Sequence, residues 1–285
     1  MTWKTLSKDE LRREYEIVVP GVEKINAQLQ NDSARVAAGL PGQHDLAYGE
    51  GGERHMLDIF TVESSAPSAM LVFVHGGYWK VNSKNARRFP AKPFVENNIA
   101  WAPVNYRLAP GFSMDEMVED GRNAIAWLYR NAENYNCDPN RIYVSGNSAG
   151  GHMVGMLCAD GWQSQYGLPK DVIKGGCALS GLFDLEPLLY ADPNEWLKMD
   201  VETAQRNSPI YTLPSSNTKM IITCGGEESD EFRRQSSDYA GLLESSGIDV
   251  RYFEMESDNH FSIIGKLGDS ASPLFSAIVK MIEET

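Results

Sequence analysis

The 285-residue sequence predicts an α/β protein with a mostly parallel central sheet flanked by helices. From about residue 45, short β-rich runs alternate with helical stretches, which is the order of a doubly wound sheet. Several of these runs are continuously apolar, as strands are when helices cover both faces of a parallel sheet. A glycine-rich turn at 146–150 also joins one run directly to an apolar helix. We therefore expect a single α/β domain spanning residues 1–285.

The predicted strands are short runs rich in β-branched, aliphatic or aromatic residues, most of them bounded by turn-forming residues. Seven runs fit this description: HMLDIF (55–60), AMLVFVH (69–75), NIAWAPV (98–104), RIYVSG (141–146), IKGGCALS (173–180), KMIITCG (219–225) and DVRYFEM (249–255).

Two of the predicted helices carry clear start signals. Ser113 and Glu116 form a capping box in front of an apolar stripe that runs on to Tyr129. Ser272 and Pro273 open a second amphipathic helix near the end of the chain.

Two stretches lie outside the alternating pattern. Residues 1–40 are polar and mostly helical, with a break at Pro20-Gly21, and we predict an N-terminal helical cap segment. Residues 181–214 contain four prolines and no clear period, so we predict a small insertion over the functional edge of the sheet.

The charge balance argues against nucleic acid as a partner. Lysine and arginine number 26 against 39 aspartates and glutamates, a net charge of −13. Nucleic-acid binding depends on cations that neutralise phosphates, which an acidic surface does not supply. A small-molecule partner fits better, and the oligomeric state stays open, with a homodimer as one alternative.

The cysteines and the N-terminus point to the cytoplasm. The four cysteines, at 137, 158, 177 and 224, share no CxxC spacing, so we expect free thiols in a reducing compartment. The first 16 residues are charged where a signal peptide is apolar, and no apolar run is long enough for a membrane span. We expect a cytoplasmic protein without a membrane partner.

The strongest chemical signal is the G-x-S-x-G run centred on Ser148. It follows a predicted strand and opens an apolar helix, the context in which such a turn exposes a nucleophilic serine. An incidental serine in a glycine-rich turn is the alternative. A nucleotide-binding loop is excluded, because the sequence has neither GKS/GKT nor G-x-G-x-x-G.

The run HGGYW (75–79) predicts an oxyanion hole. Acyl transfer needs backbone N–H groups aimed at the developing negative oxygen, and consecutive glycines let the backbone approach the substrate. We predict donors at Gly76, Gly77 and Ala149, the residue after the nucleophile. A plain turn at the end of the strand is the alternative.

The general base can be chosen from its place in the chain, because in sites of this kind the histidine follows the nucleophile and the acid. Only His152 and His260 follow Ser148, and His152 lies one helical turn beyond it, where a structural role is expected. His260 lies in a polar loop after the last strand, and we predict that it is the base.

The orienting acid is less well defined. Ser229 is the expected N-cap of the following helix, which leaves Glu228 as the loop carboxylate and Asp230 as a first-turn residue. Glu228 is therefore our first choice, Asp230 the second and Asp184 a distant third.

Aromatic residues near these motifs are candidates for substrate binding. They are Tyr78, Trp79, Phe112, Trp196 and Phe261, with core packing as the alternative role for each. The bulky Tyr78 and Trp79 are suited to narrowing an acyl pocket. We expect no cofactor and no metal, because the sequence has no HExxH motif or other ligand cluster.

Four segments together resemble the kynurenine formamidase (arylformamidase) branch of the α/β-hydrolases, which is similar to the hormone-sensitive-lipase-like esterases. They are HGGYW, NYRLAP (105–110), SGNSAGG (145–151) and SGLFDLEPL (180–188). The resemblance implies the α/β-hydrolase fold and places the acid at Glu228, where the family usually has aspartate.

The resemblance also implies hydrolysis of N-formylkynurenine or of small aryl and acyl esters. We expect a cofactor-free serine hydrolase that works through an acyl-enzyme, with an arylformamidase as the first choice. A broad short-chain carboxylesterase is the alternative. A non-catalytic receptor or scaffold on the same fold is a minor third reading.

Overall fold

The computed structural model describes residues 3–285 and contains an eight-stranded sheet in the order β1-β2-β4-β3-β5-β6-β7-β8. β1 pairs with β2 and β2 with β4 in antiparallel fashion, and the remaining pairs are parallel. The strands are β1 Gly42–Ala47, β2 Met56–Phe60, β3 Ser68–Val74, β4 Ile99–Val104, β5 Cys137–Asn147, β6 Ile173–Leu179, β7 Lys219–Gly225 and β8 Val250–Met255.

Ten α-helices accompany the sheet among the residues that the structure describes. They are α1 Lys8–Tyr15, α2 Val22–Gly39, α3 Ala91–Glu96, α4 Met114–Asn131, α5 Ala149–Cys158, α6 Asn194–Leu197, α7 Val201–Arg206, α8 Asp230–Ser245, α9 Ser262–Gly265 and α10 Pro273–Glu283. Both predicted start signals are confirmed: Ser113 and Glu116 make the capping box of α4, and the Ser272 hydroxyl caps α10.

All seven predicted strands are present, and the fold class is confirmed. The prediction missed β1, whose polar sequence GQHDLA lies half-exposed at the edge of the sheet. The sequence of β1 contains no β-branched, Phe, Tyr or Trp residue, so it lacks the composition that marks the other strands, including β8 at the opposite edge.

The core follows from strands that are covered on both faces. Every residue of β3 and β4 is buried. The Trp101 ring stacks between Phe73 and Phe94, with ring centroids 5.1 Å apart in each pair. All four cysteines are buried and free, as expected. The parallel strands therefore form a rigid base, and their carboxyl ends carry the loops described next.

No helix within residues 3–285 is long and apolar enough to cross a membrane.

Candidate active site

Ser148 occupies a sharp turn between β5 and α5. Its backbone has φ 57° and ψ −120°, a left-handed conformation that costs a non-glycine residue about 1–3 kcal/mol. Only small residues fit around the turn, since a Cβ on Gly146 or Gly150 would lie 2.4 or 2.0 Å from a backbone carbonyl oxygen. The Ser148 amide donates to the Leu179 carbonyl at 2.8 Å, which ties the turn to β6.

His260 and Glu228 meet at the carboxyl ends of β7 and β8. The two residues are joined by a 2.6 Å contact between Nδ1 of the imidazole and Oε2 of the carboxylate. The other carboxylate oxygen accepts hydrogen bonds from the Ser180 hydroxyl and the Gly225 amide, each at 2.6 Å. Three contacts therefore fix the carboxylate, and the carboxylate in turn fixes the orientation of the imidazole ring.

The surroundings of Glu228 keep it ionised. Burial by itself raises the pKa of this carboxyl, but the charge and hydrogen bond of His260 oppose it. Together with the donors from Ser180 and Gly225, they hold the pKa below its usual value. A buried carboxylate therefore faces the imidazole at neutral pH.

The other two acid candidates contact other groups. The Asp230 side chain is 92% exposed and has Arg233 at 3.9 Å. Asp184 accepts hydrogen bonds from the Trp3 indole and the Glu186 amide, and burial raises the pKa of its carboxyl. Of the three carboxylates that the sequence offered, the structure brings Glu228 to the imidazole.

The loop after β3 turns through three consecutive residues with positive φ, namely 117° at Gly77, 48° at Tyr78 and 54° at Trp79. No acceptor is recorded for the amides of Gly77 and Tyr78 among residues 3–285. The Gly76 amide, in contrast, donates to Oδ1 of Asn147 at 3.3 Å. The Gly76 amide thus has an acceptor within the protein, and the Tyr78 amide is a further candidate donor that the sequence analysis did not name.

Ser148 and His260 line one cavity of about 840 Å³. Of the five predicted aromatic residues, Tyr78, Trp196 and Phe261 also line it. The Trp196 indole donates to the Tyr78 carbonyl at 2.9 Å, which connects the 181–214 stretch to the loop after β3.

The other two predicted aromatic residues, Trp79 and Phe112, do not line this cavity. Trp79 is fully buried in the core, with its ring centroid 5.1 Å from that of His152. Phe112 lies on the surface under the guanidinium of Arg107, at 4.8 Å from its ring centroid. Tyr78 and Trp79 are sequence neighbours, and the strained turn at 77–79 decides which ring enters the cavity.

The N-terminal segment supplies a wall that the sequence analysis did not assign to the site. Tyr15, Glu16 and Ile17 line the cavity, followed by residues of α2. The Tyr78 hydroxyl donates to the Tyr15 carbonyl at 2.6 Å and joins this wall to the loop after β3. This position could not be predicted, because a helical pattern does not show where a helix packs.

His152 is structural, as predicted. It is fully buried on α5, and its Nε2 contacts the Asn207 carbonyl at 2.7 Å. Within residues 3–285, no group of three or more His, Cys, Asp and Glu side chains is placed to hold a metal ion.

A serine on the turn between a central parallel strand and its helix, with a histidine after the last strand, is the arrangement of the α/β-hydrolases. Comparison with known proteins agrees. Residues 57–175 match the BD-FAE family. Kynurenine formamidases from Danio rerio and Salmo salar are each 33% identical to this chain, over 98% of its length and 98% of theirs.

Solved structures give the same result for the fold. A candidate thioesterase from Silicibacter superposes with a TM-score of 0.80 at 28% identity, covering 96% of this chain and 99% of that one. An esterase from Pyrobaculum calidifontis, 18% identical, superposes over 98% of both chains with a TM-score of 0.72.

The chain belongs to the kynurenine formamidase family. It is a hydrolase, and its activity is of the serine-hydrolase type, that of an arylformamidase or carboxylesterase.

Proposed function

We propose that this chain is an arylformamidase that hydrolyses N-formyl arylamides of the N-formylkynurenine type, with Ser148, His260 and Glu228 as its catalytic triad. The observation that carries the proposal is the 2.6 Å contact between His260 and Glu228 beside the cavity that Ser148 also lines. The identity to two kynurenine formamidases over 98% of the chain supports the choice of substrate.

In the proposed mechanism, Oγ of Ser148 attacks the formyl carbon while Nε2 of His260 takes the hydroxyl proton. Glu228 holds the ring through Nδ1 and stabilises the imidazolium that forms. The amides of Gly77, Tyr78 and Ala149 stabilise the oxyanion. His260 then protonates the leaving arylamine, and water releases formate from Ser148 by the same route.

The position of Tyr78 supports a small acyl group. The residue follows Gly76 and Gly77 directly, and its hydroxyl donates to the Tyr15 carbonyl, so its ring is fixed at the cavity wall. A formyl group carries only hydrogen on its acyl side, which suits a site narrowed at this point. The larger part of the cavity then holds the aryl leaving group.

The test is a substrate series: N-formylkynurenine against p-nitrophenyl esters with acyl groups of two to eight carbons. We expect the highest kcat/KM for the formamide and a steep fall beyond acetyl among the esters. Equal rates for acetyl and octanoyl esters, with slow formamide turnover, would contradict the proposal.

The second candidate is a broad short-chain carboxylesterase, which the cavity volume of about 840 Å³ favours. The same substrate series separates it from the arylformamidase. The non-catalytic alternative requires that Ser148 not react with a fluorophosphonate probe, whereas both enzyme proposals require that it does.

A further inference from the structure

Arg87 is a buried cation in the wall of the catalytic cavity. It lies between β3 and α3, lines the same cavity as Ser148, and is only 4% exposed. The guanidinium donates from Nη1 to the neighbouring Ala86 carbonyl, at 2.9 Å. Its Nε is buried and has no acceptor among the residues that the structure describes. No carboxylate among residues 3–285 forms an ion pair with it.

The neighbouring cations differ from Arg87 in this respect. Nζ of Lys84 contacts Asp58 at 2.5 Å and Asp45 at 2.6 Å, and Nε of Arg88 contacts Asp58 at 2.6 Å. Lys84 and Arg88 therefore have carboxylate partners, whereas Arg87 has none within residues 3–285. Three carboxylates line the cavity, and two of them, Asp192 and Glu195, are engaged by Arg12. The third, Glu16, is exposed to solvent and forms no ion pair with Arg87 in the part of the chain that the structure describes.

An unpaired buried charge is unfavourable, so a buried cation without a partner calls for an explanation, such as a bound ligand. Burial lowers the pKa of Arg87 to about 10, and the guanidinium still remains charged at neutral pH. The Trp101 indole donates to the Arg87 carbonyl at 2.9 Å, so the backbone at this position is fixed to the core. Arg87 is thus a cation held in position at the cavity, and within residues 3–285 it has no carboxylate partner.

We propose that Arg87 determines substrate specificity by binding a carboxylate on the leaving group of the substrate. The planar guanidinium fork matches a carboxylate, and it would form the ion pair that the protein does not supply. We assign this carboxylate to the leaving group on the basis of the proposed function. A formyl group carries only hydrogen on its acyl side, so a carboxylate on a formamide substrate must belong to the arylamine. Arg87 is then a binding residue that selects anionic arylamides or aryl esters.

The test compares each acid with its methyl ester, using two substrate pairs. One pair is an N-formyl arylamide with a side-chain carboxylate, and the other is an aryl acetate with the same side chain. We expect wild-type protein to prefer the acid in kcat/KM. In Arg87→Met the ratio of acid to ester should fall about 10- to 100-fold, as hydrogen bonds to a charged group predict. Arg87→Lys should retain part of the preference.

Arg122 provides a matched control. It is a partly buried arginine on α4 that does not line the cavity. Like Arg87, it has a buried Nε without an acceptor among residues 3–285, and its guanidinium lies 5.6 Å from the Trp162 ring centroid. Arg122→Met should leave the acid-to-ester ratio unchanged. An equal loss on acid and ester in Arg87→Met, or no preference in wild type, would overturn the proposal.

The two proposals fail in different ways. If neither formamide is cleaved but the aryl acetate pair shows the Arg87-dependent ratio, the formamidase proposal fails and the role of Arg87 stands. If formamides are cleaved equally well as acid and as methyl ester, the formamidase proposal stands and the role of Arg87 fails. If Arg87→Met does not fold, Arg87→Lys provides the second test: a lowered acid-to-ester ratio supports the role of Arg87, and an unchanged ratio overturns it.

Discussion

Replacing Glu228 with glutamine tests the proposed triad most directly. Oε2 of Glu228 contacts Nδ1 of His260, and Oε1 accepts from the Ser180 hydroxyl and the Gly225 amide, all at 2.6 Å. A glutamine has one acceptor oxygen and one NH2 donor in place of these two oxygens. If the NH2 group faced Ser180 and Gly225, it would oppose the fixed N–H of Gly225. The NH2 group will therefore face His260.

That orientation changes the tautomer of the imidazole. Nδ1 must accept from the amide, so the ring proton moves to Nε2, the atom that has to accept the proton of Ser148. The imidazolium also loses its buried counter-charge. From these two effects we expect kcat for p-nitrophenyl acetate to fall about 10³- to 10⁴-fold with little change in KM.

The assay uses steady-state kinetics with thermal unfolding as a check on folding. Asp230→Asn is the matched control, because its side chain is 92% exposed, and we expect activity within about twofold of wild type. Glu228→Asp, one methylene shorter, cannot keep all three contacts and should fall between the two. A Glu228→Gln protein that keeps a tenth of wild-type turnover, or an equal loss in Asp230→Asn, would refute the assignment.

Three further predictions follow from the site and the core. Ser148→Ala should lower kcat by about 10⁴ or more while the protein stays folded, and a variant that keeps a tenth of the turnover would remove Ser148 from the mechanism. Each methylene that does not fit the acyl site should cost about 10- to 200-fold in kcat/KM, measured from acetyl to octanoyl esters, and a flat series would contradict the narrowing by Tyr78. Burial lowers the pKa of His75 to about 3 and that of His152 to about 4. In the unfolded chain both histidines have a pKa of about 6.5, so below that pH they are protonated in the unfolded state and stay neutral in the folded state. The free energy of unfolding should therefore fall by about 2 kcal/mol for each histidine between pH 7 and pH 5, and a Tm that stays constant over this range would contradict their burial in the neutral form.

Much of the fold was predictable because its signals are local. The apolar runs that form β3 and β4 reflect burial on both faces, and the capping box at Ser113 reflects the unpaired amides of a helix start. The turn at Ser148 could be recognised because small residues must surround it. β1 was missed because its sequence, GQHDLA, contains none of the β-branched, Phe, Tyr or Trp residues that mark the other strands.

The amino-acid sequence by itself determined the order of strands and helices, the turn that carries Ser148, and the choice of His260 by its place in the chain. Only the tertiary structure decided between residues close together in the sequence. Glu228 contacts His260 whereas Asp230 is exposed, and Tyr78 lines the cavity whereas Trp79 is buried in the core. It also decided that the N-terminal segment walls the cavity. The physical reason is that hydrophobic pattern and capping act within a few residues. The direction of a loop side chain depends instead on strained backbone turns and on partners far away in the sequence.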